Sequence, residues 1–220
     1  MPSLGSRVTL GVLLTDLDLP SDRPLSWDPC GECTACVDAC PGGALGDSKG
    51  SRKNRGDSRA SPVGLDAARC LSYATTASRE PIPPALRSQL ASRLYGCDVC
   101  QESCPVNRDV VADIPAALQG PREIPLNRLH DLASLSGRAI RRALADSALS
   151  WLPPRIFLRT LAVVLGNLAQ PESRPVLEAL ARDHHDAMVR EHAAWALTTS
   201  SSLARRHGNH FRPYRMKPGG

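Results

Sequence analysis

The chain has few aromatic residues: three Trp, three Tyr and two Phe among 220 positions. Aromatic rings dominate many cores, so here the core must come from Leu, Ala and Val, which favours helices packed on helices. Long apolar runs are missing too. Stretches such as Leu161–Leu165 fall far short of the roughly 18 residues that a membrane-spanning helix needs. No basic start followed by an apolar run marks a secretory signal, and the cytoplasm is the expected compartment. There is no G-x-G-x-x-G, P-loop or Ser-His-Asp arrangement, so the nucleotide-binding and hydrolytic chemistries those motifs carry are not indicated.

Cysteine, by contrast, is plentiful, with eight residues. In a reducing compartment that number points to metal or redox chemistry rather than disulfides. The formal charge of +5 is modest but unevenly placed. Lys49, Arg52, Lys53, Arg55 and Arg59 crowd residues 46–62, three arginines fall within 137–144, and the chain ends basic. A polyanion partner and a solvated surface are both compatible with that distribution.

The pattern along the chain divides it into segments. Residues 1–27 contain one strand-like run, Val8–Leu14, then an extended acidic stretch. A lone strand needs a sheet to join, so 1–27 is expected to be the remnant of an N-terminal α/β domain. Residues 28–110 hold every cysteine and form the second segment, interrupted at 46–62 by a polar, turn-rich stretch expected to be a flexible basic insert. From about residue 125 the periodicity is helical, and 111–200 is expected to be a helical domain followed by a basic tail, 201–220. In "DAMVREHAAWALTTS" the residues Val189, His192, Ala193, Ala196 and Leu197 share one helix face. Asp186 is placed to cap that helix, and Pro175 to open the one before it. Short helices with tight turns resemble one repeat of a HEAT-type solenoid. His192 and Trp195 read as core residues, and a metal role for His184 or His185 has no support.

The cysteines carry the chemistry. Cys30, Cys33, Cys36 and Cys40, followed by Pro41, have the spacing C-x2-C-x2-C-x3-C-P. Cys97, Cys100 and Cys104 with Pro105 repeat the second part of it, and Cys70 stands apart. A [4Fe–4S] cubane offers four iron corners. Three closely spaced thiols reach three of them, and in two-cluster ferredoxins the fourth cysteine of each run ligates the other cluster. The expected sets are therefore Cys30, Cys33, Cys36 and Cys104 for one cluster, and Cys70, Cys97, Cys100 and Cys40 for the other. A structural zinc site draws two thiols from each of two knuckles, a split these runs do not show. A disulfide framework suits a short secreted chain, and unrelated buried thiols would not fall at such spacings. The fold expected is mainly α: a two-cluster ferredoxin-like module followed by a HEAT-like helical region.

The segments "CGECTACVDACPGGAL", "LDAARCLSY", "PIPPALR" and "LYGCDVCQESCPVNR", in that order, resemble the iron–sulfur half of epoxyqueuosine reductases. "LGNLAQPESRPVLEALARDHHDAMVREHAAWAL" is similar to that family's helical C-terminal region. The resemblance implies two [4Fe–4S] clusters and cobalamin as cofactors, crossed cluster ligation, and reduction of epoxyqueuosine to queuosine in tRNA. It implies cobalamin contacts at Ser72 and Asp98, which flank Cys70 and Cys97, and electron flow from the outer cluster through the inner one to cobalt. It implies tRNA contacts at Arg138, Arg141, Arg142 and Arg159. The partners implied are tRNA carrying epoxyqueuosine and a low-potential electron donor, with no membrane. The chain is expected to act as a monomer, or with a separately encoded cobalamin domain.

Departures from the family pattern qualify this. The family's cobalamin domain precedes the first cysteine run, and only its final strand is expected here. No catalytic acid can be named, and activity of the chain alone is in question. The gap from Cys40 to Cys70 is lengthened by the basic insert, and "ALADSALSWLPPRIF" lengthens the approach to the helical repeat. A stand-alone ferredoxin-like electron carrier and a tRNA-binding remnant without catalysis are the competing functions.

Overall fold

A computed structural model of the chain describes residues 5–8, 11–23, 30–46, 64–108, 110 and 124–207, the side chains of 201–207 excepted. The architecture is mainly α. The elements before the helical region are short: α1 (Ala35–Asp38), a two-residue antiparallel ladder of β1 (Leu45–Gly46) on β2 (Gly64–Leu65), α2 (Leu71–Thr76), α3 (Pro84–Arg87) and α4 (Val99–Glu102). Then follow α5 (Leu126–Ser134), α6 (Gly137–Ala143), α7 (Pro154–Leu168), α8 (Arg174–Asp183) and α9 (Ala187–His207). Among the described residues no helix is long and apolar enough to cross a membrane.

The helix α7 organises the molecule. Every residue from Ile156 to Gly166 is buried, as a helix enclosed on all sides must be. On one side Phe157, Leu158, Leu161 and Leu165 join α5, α6, α8 and α9 in the larger core. On the other, Val163 meets Leu71, Ile82, Leu86 and Leu90 in a second core that belongs to the cysteine-bearing segment. Each fully buried Leu or Ile of this kind contributes roughly 1.5–3 kcal/mol, so the two parts share one structural helix. Pro154 occupies the first turn of α7, and the left-handed Ala169 ends it. Gly166 is required where α7 crosses α9, since a Cβ there would lie 2.6 Å from the Ala196 Cβ.

Local expectations at the C-terminal end hold. Asp186 Oδ1 accepts the N–H groups of Met188 (2.9 Å) and Val189 (3.4 Å), capping α9, and Pro175 lies in the first turn of α8. Val189, His192, Ala193 and Ala196 are completely buried. Of the strand-like run Val8–Leu14, the described residues Val8 and 11–14 lie in no strand. Val12, Leu13 and Leu14 are about nine-tenths exposed, because no sheet edge among the described residues meets them. Thr9 and Leu10, the expected insert beyond Gly46 and the end of the basic tail lie outside the described residues.

Side chains from the helices read the backbone of the cysteine-bearing segment. The His192 Nδ1–H donates to the Met188 carbonyl (2.8 Å), and Nε2 accepts the Ile82 N–H (3.0 Å). Arg87, itself buried, makes a two-point ion pair with Glu191 (2.7 and 2.9 Å) and bonds the Ile82 carbonyl. Asn167 donates to the carbonyls of Arg87 and Ala91. Burial, helped by the Arg87 cation, pushes the His192 pKa from its ordinary 6.5 down to about 4 against the opposing pull of the Met188 carbonyl and Glu191. The unfolded chain therefore takes up this proton before the folded one does. Stability is full above pH ~6.5 and falls as the pH drops towards 4, by on the order of 3 kcal/mol from this group. Urea midpoints compared at pH 7 and pH 5 should show the loss, and His192→Gln should remove most of the difference.

Candidate metal centre

The two cysteine runs fold as copies of one loop. In the first, Thr34 precedes α1 with φ −115° and ψ 5°, and Ala39 follows it with φ −80° and ψ −15°. In the second, Asp98 precedes α4 with φ −107° and ψ 11°, and Ser103 follows it with φ −78° and ψ −12°. The hydrogen bonds match as well. Val37 and Asp38 N–H both reach the Thr34 carbonyl, as Gln101 and Glu102 N–H both reach that of Asp98. Cys40 N–H bonds the Val37 carbonyl, and Cys104 N–H that of Gln101. The proline after each run cannot continue the turn, which fixes where the last thiol of each loop sits. Helix α1 packs on α4, putting Cys36 and Cys100 on neighbouring helices.

A cavity of about 310 Å³ lies where these loops meet α2 and the ladder. Cys40, Cys70, Cys97 and Cys100 all line it, and so do Ser72 and Asp98. Cys40 from the first run thus stands with three thiols of the later group, while Cys30, Cys33, Cys36 and Cys104 lie outside the cavity. The four lining thiols are half-buried, whereas Cys30 and Cys33 are exposed. Burial pushes the Cys97 thiol up, and the nearby Cys70 and Cys40 add to this. Burial likewise raises Cys100, with Cys97 and Cys40 adding. Thiols held back from ionising by burial, as Cys97 and Cys100 are, suit a site where cations replace the protons.

The backbone supplies donors to sulfur. Ala44 N–H points to Cys40 Sγ at 3.2 Å, an N–H of Val99 to Cys97, and one of Gln101 to Cys100. N–H···S bonds of this kind tune cluster potentials. Among the described residues no three His, Cys, Asp or Glu converge closely enough for a single metal ion. Thiols that surround a cavity without converging fit the corners of a cubane better than a tetrahedral zinc. Gly42 makes the arrangement possible, since a Cβ there would stand 2.2 Å from the Arg69 carbonyl oxygen, one residue before Cys70. Arg69 Nε returns a hydrogen bond to the Gly42 carbonyl at 3.1 Å.

Ser72 and Asp98 lie beside the cluster ligands on this cavity, next to the apolar Leu45 and Leu65. The Asp98 side chain does not cap α4. Arg138, Arg141 and Arg142 are exposed on α6, whose buried Ile140 faces the core. Arg159 is different. It is wholly buried in α7, and its guanidinium donates to the carbonyls of Ala74, Ser78 and Glu80. No phosphate can reach it, so the expected tRNA contact at Arg159 is corrected to a structural tie. Its neighbours "IFLRTLAVVL" carried the signal, because an arginine surrounded by apolar residues on every helix face has to be enclosed. The links Arg87–Glu191, His192–Ile82 and Thr75–Gly96 had no such local sign.

Comparison with known proteins agrees with this geometry. A family model for a 4Fe-4S double cluster binding domain matches residues 29–107. Epoxyqueuosine reductase from Pseudomonas aeruginosa is 36% identical over 206 residues, covering 93% of this chain and 51% of the relative. An uncharacterized Geobacillus stearothermophilus protein from the gldA 3' region is 31% identical over 193 residues, 88% of this chain and 82% of that one. Among solved structures, Bacillus subtilis epoxyqueuosine reductase with its catalytic loop swung out of the active site superposes with a TM-score of 0.66 at 27% identity, covering 87% of this chain and 50% of that one. An epoxyqueuosine reductase bound to an epoxyqueuosine-modified tRNA-Tyr stem loop superposes with a TM-score of 0.66 at 30% identity, covering 82% and 44%. The chain spans about half the length of the curated reductases it matches. The paired cysteine loops, the helical region and these likenesses together place the chain in the epoxyqueuosine reductase family.

Proposed function

We propose that this chain is the electron-supplying and RNA-docking part of an epoxyqueuosine reductase. The observation that carries the reading is the cavity that gathers Cys40, Cys70, Cys97 and Cys100 beside Ser72 and Asp98. Cys70, Cys97, Cys100 and Cys40 would hold the inner [4Fe–4S] cluster, and Cys30, Cys33, Cys36 and Cys104 the outer one. The exposure of Cys30 and Cys33 supports the outer site as the point where an electron donor is met. Ser72 and Asp98 would contact cobalamin, a hydroxyl and a carboxylate beside apolar leucines being suited to the amide-bearing edge of a corrin. When bound, these cofactors supply single electrons, and removing an epoxide oxygen as water takes two electrons and two protons. The chain's own contribution is to hold the clusters close together, keep the inner one out of bulk water, and orient the RNA.

RNA orientation falls to α6. Three exposed arginines on one short helix give phosphate contacts that position a nucleic acid without reading its sequence. The substrate proposed is the anticodon stem loop of a tRNA carrying epoxyqueuosine. Replacing Arg138, Arg141 and Arg142 together by glutamine should weaken binding of that stem loop and flatten the slope of log K against log salt by about two, leaving the urea midpoint unchanged. Titrations at several salt concentrations measure this, and an unchanged slope would remove α6 from the interface.

A further inference from the structure

The two loops are alike from Cys33 and Cys97 onward, but their leading thiols are held differently. Cys30 and Cys33 share one tight turn, closed by a 2.7 Å hydrogen bond from the Cys33 N–H to the Cys30 carbonyl. Their counterparts, Cys70 and Cys97, are separated by the whole segment 71–96. Closing a loop of that length costs chain entropy that no turn offsets locally, so the two thiols need a tie from elsewhere.

Thr75 provides one. Helix α2 starts directly after Cys70, whose carbonyl accepts the Ala74 N–H at 2.9 Å. Thr75, near the end of that helix, is completely buried. Its hydroxyl donates to the Leu71 carbonyl (2.9 Å) and accepts the N–H of Gly96 (3.0 Å). A hydroxyl can do both at once, having one hydrogen and two lone pairs. Gly96 immediately precedes Cys97 and has φ +72°, a conformation that favours glycine. Arg159 of α7 donates to the carbonyl of Ala74 in the same helix and to that of Ser78 just beyond its end, which ties α2 to α7.

We propose that Thr75 is a positioning residue of the inner cluster, its hydroxyl fixing the Cys70 helix against the Cys97 loop and thereby setting that cluster's assembly and reduction potential. The inference rests on the reading that Cys40, Cys70, Cys97 and Cys100 share one cubane. Valine at this position keeps the shape but cannot accept the Gly96 N–H, and serine can.

The test uses the full chain, reconstituted anaerobically with iron and sulfide. Iron content, the electron paramagnetic resonance spectrum of the reduced protein and both midpoint potentials are measured for Thr75→Val, Thr75→Ser and Cys97→Ala. The Cys97→Ala variant identifies the outer cluster's signal. Thr75→Val is expected to keep that signal while the inner cluster's midpoint shifts or its iron is lost, the total falling from about eight towards four. Thr75→Ser should restore the parent values. The inference is overturned if Thr75→Val leaves both potentials unchanged, if serine behaves like valine, or if both clusters are lost together. Retention of about eight irons and both signals in Cys97→Ala would instead sink the ligand assignment.

Discussion

Replacing Cys70 by alanine should halve the iron of the reconstituted protein, from about eight atoms per chain to about four, and leave one cluster's spectrum intact. The expectation follows from where Cys70 stands. It is the one thiol of the cavity set that neither repeated loop carries, and it stands directly before α2, after the second strand of the ladder. The remaining thiols of that cavity already face it from the two loops. Ser72, two residues on, offers only a hydroxyl, a poor ligand for iron that prefers thiolate. Electron delivery through the inner cluster should fall to background with it. Cys104→Ala should do the opposite, removing the outer cluster and sparing the inner. If Cys70→Ala kept its full iron and both spectra, the crossed pairing would be wrong.

The second large effect is expected at Arg159. Alanine there removes a buried cation that three backbone carbonyls converge on, at Ala74, Ser78 and Glu80. Burial, and then the nearby Arg79 and Arg155, lower its pKa to about 10, so at neutral pH it is still charged and donating. Its loss leaves a cavity in α7 and uncapped carbonyls where α2 ends. Truncating one side of a buried charged network costs about 3–5 kcal/mol. The urea midpoint should drop accordingly, and Arg159→Lys should recover little, since a single ammonium cannot span three carbonyls set by a planar guanidinium. At low urea the surviving folded fraction should bind an RNA stem loop with the salt slope of the parent. A variant that lost RNA affinity with its stability unchanged would put Arg159 back at the RNA surface.

These two residues show what was legible in the chain and what was not. The paired cysteine loops are legible because their spacing repeats within a few residues, and the proline after each run marks where the loop must turn. The cap at Asp186 and the buried face of His192 were legible for the same reason: both are set within one or two turns of helix. Val8–Leu14 shows strand-like composition without a strand among its described residues, because a strand is a property of a sheet and these residues meet no sheet edge among the described residues. Helix α7 begins at Pro154 with Pro153 as its cap, so a proline pair that looks like a break in the sequence opens the helix instead. Arg87 and Glu191, Thr75 and Gly96, or Ile82 and His192 meet only in three dimensions. A hydrogen bond between a side chain and a distant peptide leaves no periodic trace.

These links also bear on why the helical region accompanies the cysteine-bearing segment. Its side chains hold the segment between Cys70 and Cys97 through Arg159, Asn167 and His192. A free-standing electron carrier with the same ligands would have to close that segment by other means. The proposed RNA face on α6 and the cysteine-lined cavity thus share one structural body, with α7 in its centre.

The most direct test is to count iron and acid-labile sulfide on one sample of the anaerobically reconstituted chain after gel filtration, with cobalamin added and cobalt counted alongside. About eight irons matched by about eight sulfides, with cobalt retained, is the result expected of two cubanes beside a corrin site. One or two metal atoms per chain without sulfide would contradict it, and the eight cysteines would then have to be read as something other than cluster ligands.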